Sequence, residues 1–79
     1  GEEMKQQAID LGFYYSRKGC SCSGSPSIYA AVRNNIRYEL TIYESRDTWK
    51  LTANNTSIAE GDAANLKTKI QEIWDSSKI

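Results

Sequence analysis

Seventy-nine residues, 39% apolar and 25% charged, make one folded domain (residues 1–79) rather than a disordered tail. Ten Lys and Arg balance ten Asp and Glu, which excludes a polybasic arm, an acidic tail and a grip on nucleic acid by net charge alone. The absence of histidine removes every His-based catalytic or metal scheme, and no apolar run approaches the ~20 residues of a membrane span.

The first predicted element is a helix over residues 2–11. Met4, Ala8 and Leu11 fall on one stripe at helical spacing. Glu2 and Glu3 sit in the first turn, where the helix dipole favours acids. Gly12 follows where a left-handed C-cap is usual. After Phe13, Tyr14 and Tyr15, residues 16–26 read as loop: they hold two glycines, four serines and the only proline, around Cys20-Ser21-Cys22. A connection of that length in a small domain is often functional.

From Ser27 the apolar period becomes two, and three strands are predicted over residues 27–33, 36–44 and 47–53. Ile28, Ala30 and Val32 are assigned to the buried face, with Tyr29, Ala31 and Arg33 outward. A loop centred on Ser45-Arg46 pairs Ile42 with Trp49, Leu40 with Leu51 and Tyr38 with Ala53. Every apolar residue of that hairpin then lands on one face. For the first hairpin, a strict two-residue turn at Asn34-Asn35 would pair Val32 with Arg37 and Ala30 with Glu39. A three-residue turn, Arg33-Asn34-Asn35, pairs Val32 with Ile36 and Ala30 with Tyr38 and is preferred. Asn54-Asn55 marks a third turn and leaves room for a short fourth strand over 56–59. The last element is a helix over 62–76, N-capped by Asp62, with Ala63, Leu66, Ile70, Ile73 and Trp74 on its apolar stripe.

The expected fold is therefore α+β: two layers in the order α-β-β-β-(β)-α, with an antiparallel sheet of three or four strands and both helices on one face. The other face carries Tyr29, Arg37, Glu39, Thr41, Tyr43, Lys50 and Thr52 and is wet. The order helix, three strands, helix resembles the topology with which double-stranded RNA-binding domains span an RNA duplex, a resemblance of element order only. That family has a Gly-Pro-x-His turn and a Lys-rich start to its second helix. Here those places hold Arg33-Asn34-Asn35 and Glu60-Gly61-Asp62, so no site residue is carried over.

Two features carry chemistry. No acid falls between Asp10 and Glu39, and that stretch holds Tyr14, Tyr15, Arg17, Lys18, Tyr29, Arg33 and Arg37. Cations interleaved with aromatics suit phosphate contact and base stacking. In Cys20-Ser21-Cys22, residues two apart point the same way along an extended segment. The two thiolates are half of a tetrahedral zinc site that a homodimer would complete, or a redox pair beside Arg17 and Lys18. Their plain reading is as two reduced, inert loop residues. Trp49 and Trp74 read as core, the Asn-x-Ser/Thr patterns at 54–57 as a turn, and Glu60 and Asp62 as helix-start acids.

No nucleophile with its base, Walker loop or dinucleotide fingerprint is present. The expectation is a non-enzymatic interaction module without a membrane role. It would be a monomer or homodimer, with no cofactor unless zinc is shared between protomers. A nucleic-acid-associated role is favoured. A metal or thiol site at Cys20 and Cys22 and a protein–protein adaptor using the wet sheet face are the alternatives. The lack of a basic-then-apolar opening and the two cysteines point to the cytoplasm.

Overall fold

The structure, a computed structural model, describes residues 2–76. It has two helices, α1 (Glu2–Asp10) and α2 (Leu66–Ser76), and five strands between them: β1 (Tyr14–Lys18), β2 (Ser27–Arg33), β3 (Ile36–Tyr43), β4 (Thr48–Ala53) and β5 (Thr56–Asp62). The strands form one antiparallel meander in the order β1-β2-β3-β4-β5. The class is α+β, as expected. The strand count is corrected from three or four to five, which also departs from the three-strand order of double-stranded RNA-binding domains.

α1 ends as its sequence dictates. Gly12 is left-handed (φ 100°), and the amides of Gly12 and Phe13 donate to the carbonyls of Ile9 and Ala8 at 3.0 Å each. This is the paired-bond stop in which glycine avoids the Cβ clash of positive φ. It turns the chain straight into β1, which the sequence reading placed partly in a loop. β1 lacks visible alternation because Ser16 sits in a bulge between Tyr15, opposite Tyr29, and Arg17, opposite Ile28.

The β3–β4 register is the expected one, with Tyr38, Leu40 and Ile42 opposite Ala53, Leu51 and Trp49. Its loop is wider than a two-residue turn. Glu44–Arg46 forms a 3-10 turn and Asp47 closes it in the left-handed region (φ 51°). The β2–β3 register differs from expectation. Arg33 lies opposite Ile36, Val32 opposite Arg37 and Ala30 opposite Glu39, so the turn is Asn34-Asn35 alone. Both asparagines have positive φ (53° and 65°), the backbone a type I′ hairpin turn needs and asparagine tolerates. The same dipeptide makes the same turn at Asn54-Asn55 (φ 48° and 70°).

That one-residue slip inverts β2. Tyr29 and Ala31 join the core, while Val32 is 62% exposed. The core unites Met4, Ala8 and Leu11 of the first helical region, Leu66, Ile70 and Trp74 of α2, and one face of the sheet through Tyr29, Tyr38, Leu40, Ile42, Trp49 and Leu51. Trp74 ties the chain ends together. Its Nε1–H donates to the Leu11 carbonyl at 2.9 Å, its ring stacks on Phe13 and meets the edge of Tyr38, and the Arg33 guanidinium lies over it at 4.5 Å.

Asp62 ends β5 rather than capping α2 directly, and the helix starts at Leu66. Asn65 is the residue at the junction. Its backbone carbonyl accepts from Lys69 N–H, and its side-chain Oδ1 accepts from Asp62 N–H and Trp49 Nε1–H. Among the described residues no helix is long and apolar enough to cross a membrane.

Candidate functional site: the open sheet face and the cysteine loop

Strand alternation sorts the predicted nucleic-acid residues into different places. Tyr14 lies opposite Ala30, and Arg17 bonds Glu39, which itself lies opposite Ala30. Tyr14, Arg17 and Arg37 therefore share the sheet face opposite the helices. Tyr15 lies opposite Tyr29 and contacts it edge-on, with ring centroids 5.6 Å apart, on the helix side. Lys18, opposite Ser27, is also on that side. Tyr29 is buried and Arg33 covers Trp74. Of the seven residues, the structure brings three together on the open face.

The two arginines meet one acid. Glu39, at the centre of the sheet, accepts from Arg17 Nη1 at 2.9 Å and from Arg37 Nη2 at 3.5 Å. The Arg17 hydrogen bond, with the charges of both arginines, holds the Glu39 carboxyl below its ordinary range, against a smaller opposing effect of burial. The same hydrogen bond raises Arg17. The one carboxylate offsets one of the two positive charges, and both guanidinium groups are engaged by it.

Around it the face is mixed. Ala30 is fully buried and Ile28 nearly so, although no helix lies over them. Their cross-strand partners are Tyr14 and Glu39 for Ala30, and Arg17 and Thr41 for Ile28. Tyr14 (53% exposed) and Val32 remain open to solvent. Thr41 lies opposite Lys50, and Lys50 opposite Glu60. At the far end Tyr43, with the Arg46 guanidinium 4.5 Å over its ring, helps line a shallow hollow of about 400 Å³ together with Lys50 and Glu60. Tyr43, Arg46 and Lys50 complete the face. Strand alternation in the sequence already assigns Tyr43 and Lys50 to this face; Arg46 escapes it because it lies in the β3–β4 turn.

On the helix side, Lys5 bonds Glu44 at 2.7 Å and lowers its carboxyl pKa. This ion pair fastens α1 to the β3–β4 loop.

The cysteine loop is a built structure. Cys20 and Cys22 are joined in a disulfide, with Cα atoms 5.3 Å apart, in place of the two free thiols expected. The chain can close so short a bridge because Ser21–Ser23 is a 3-10 turn instead of an extended segment. Gly19 N–H donates to the Pro26 carbonyl at 2.7 Å and Ser25 N–H to the Cys20 carbonyl at 3.2 Å, so the loop continues the β1–β2 hairpin. Gly24 and Ser25 turn through positive φ (83° and 50°). A Cβ on Gly19 would meet Pro26 Cγ at 2.6 Å, which restricts that position to glycine. Both cysteines are exposed. In the disulfide neither sulfur is a thiolate, the form in which cysteine binds zinc. Among the described residues no three His, Cys, Asp or Glu side chains gather to hold a metal.

No family model, no curated protein and no solved structure matches this chain.

Proposed function

We propose that the chain is a non-enzymatic interaction module whose contact surface is the open sheet face, and that the occupant of that face is another protein. One observation carries the choice of occupant: Arg17 and Arg37 are both committed to Glu39. Nucleic-acid affinity rests mainly on cations free to neutralise phosphate. A face whose central cations are already paired with an acid is a poor match for that. It suits a protein partner, for which tyrosine, arginine and a small apolar patch are the enriched contacts. Tyr14 and Val32 supply the apolar anchors, and the Arg17–Glu39–Arg37 cluster supplies a fixed pattern of charge for register.

The sheet edges are poorer contact surfaces. β1 is bulged at Ser16, and β5 carries a register shift opposite Leu51 and Thr52. Both devices blunt edge-to-edge pairing.

The test is site-specific photo-crosslinking in extract of the cells that make the protein. A photoreactive phenylalanine replaces Tyr14 or Thr41 on the open face, or Gln71 on the outer side of α2. Protein adducts of discrete mass from the first two positions and none from Gln71 are expected. Adducts that vanish on nuclease treatment would replace the protein reading with the nucleic-acid one. Equal yields from all three positions would overturn the assignment of the face.

A further inference from the structure

Independently of the open face, we infer that the Cys20–Cys22 disulfide is a thiol–disulfide exchange site for thiols of proteins or small molecules. A bridge stabilises a fold by closing a loop in the unfolded chain, and that gain shrinks with the length closed. This bridge encloses only Ser21 and joins no two elements. The loop is already held without it, by the Gly19 N–H to Pro26 bond, the Ser25 N–H to Cys20 bond and the left-handed turn at Gly24. The disulfide therefore has little structural duty, while both of its cysteines are exposed on a hydrogen-bonded turn.

The turn supplies Cys20 with a backbone donor. Cys20 Sγ accepts the backbone N–H of Cys22 at 3.3 Å. A thiolate at Cys20 keeps that donor, and hydrogen bonding to the charged form lowers a thiol's pKa. Cys20 is thus equipped to leave as a thiolate when attack falls on Cys22. An incoming thiolate bonds to Cys22 Sγ as the Cys20–Cys22 S–S bond breaks, and Cys20 departs as thiolate with the electron pair. A second thiolate then attacks the sulfur of the bound thiol, forms the external disulfide and releases Cys22 as thiolate. The disulfide is reduced to two thiols and two external thiols are oxidised to one disulfide, with protons exchanged through solvent.

The experiment equilibrates the folded chain in glutathione redox buffers, quenches with acid and reads the oxidised fraction by mass after maleimide labelling. Reduction by glutathione without denaturant is expected, with reoxidation on return to oxidised glutathione and no change in the urea unfolding midpoint. Resistance to glutathione until the chain unfolds, or a lowered midpoint after reduction, would make the bridge structural and overturn the inference. A single variant tests the leaving group. At neutral pH, Cys20 in the Cys22→Ser chain should alkylate with iodoacetamide several-fold faster than free cysteine. A rate and a thiol midpoint equal to those of free cysteine would remove Cys20 as a stabilised leaving group.

Discussion

Replacement of Trp74 probes the contact that joins the two ends of the chain. Trp74→Phe keeps a ring against Phe13 and Tyr38 but deletes the Nε1–H that donates to Leu11. The Leu11 carbonyl loses that donor in a buried setting, and an unsatisfied buried polar group costs about 1–3 kcal/mol. Space left by the smaller ring adds to this, so Trp74→Phe should cost about 2–4 kcal/mol. Trp74→Ala also loses both aromatic contacts and should cost about 3–5 kcal/mol. A domain of this size holds roughly 4–12 kcal/mol at ~0.05–0.15 kcal/mol per residue, so the alanine variant sits at the edge of folding. Urea denaturation followed by fluorescence is the assay, because Trp49, buried in the same core, remains as reporter in both variants. A loss below about 0.5 kcal/mol for Trp74→Phe would refute the reasoning, since it would mean that the Leu11 bond carries no stability.

The β2 register makes a sharp contrast between neighbours. Val32→Lys on the exposed position should change stability by no more than about 0.5 kcal/mol, whereas Ala31→Lys puts a charge in the core and should unfold the chain by circular dichroism. Asn35→Gly relieves positive φ in the type I′ turn and should raise the urea midpoint, by about 0.5 kcal/mol in stability, while Asn35→Ala should lower it by about 1 kcal/mol. Glu39 has a lowered pKa in the folded chain, so its ionised form stabilises the fold above the ordinary carboxylate range, and that contribution is lost as pH falls through the folded value. Glu39→Gln should therefore flatten the acid limb of a pH-stability profile measured at low salt and leave the neutral region with a small loss.

What the sequence disclosed depends on how many alternatives each segment left open. In β3 and β4 the apolar residues occupy one parity only, and a single register buries them all. β2 carries Ile28, Tyr29, Ala30, Ala31 and Val32, apolar at both parities, so its pattern could not choose a face. The choice fell to the turn, where positive φ at two successive asparagines outweighed the apparent mismatch of Val32 with Arg37 and Ala30 with Glu39. Both of those pairs lie on the open face. β1 was hidden because its bulge breaks the alternation, and the end of β5 because Gly61 and Asp62 resemble a helix entry. Gly61 is in the strand where it passes Asn65: a Cβ there would collide with the Asn65 side-chain oxygen that anchors Trp49 and Asp62. The candidate site was legible only as a list of residue types. That Arg17 and Arg37 spend their charge on one glutamate is a fact of cross-strand geometry, which spacing along the chain does not contain.

The central claim, that the sheet face opposite the helices is the contact surface, is tested most directly by hydroxyl-radical footprinting of the chain in its cellular complex against the isolated chain. The account predicts reduced labelling at Tyr14, Val32 and Tyr43, with labelling unchanged at Ile9 on α1. Protection of Ile9 with full labelling of Tyr14 and Val32 would place the partner on the helices and contradict it.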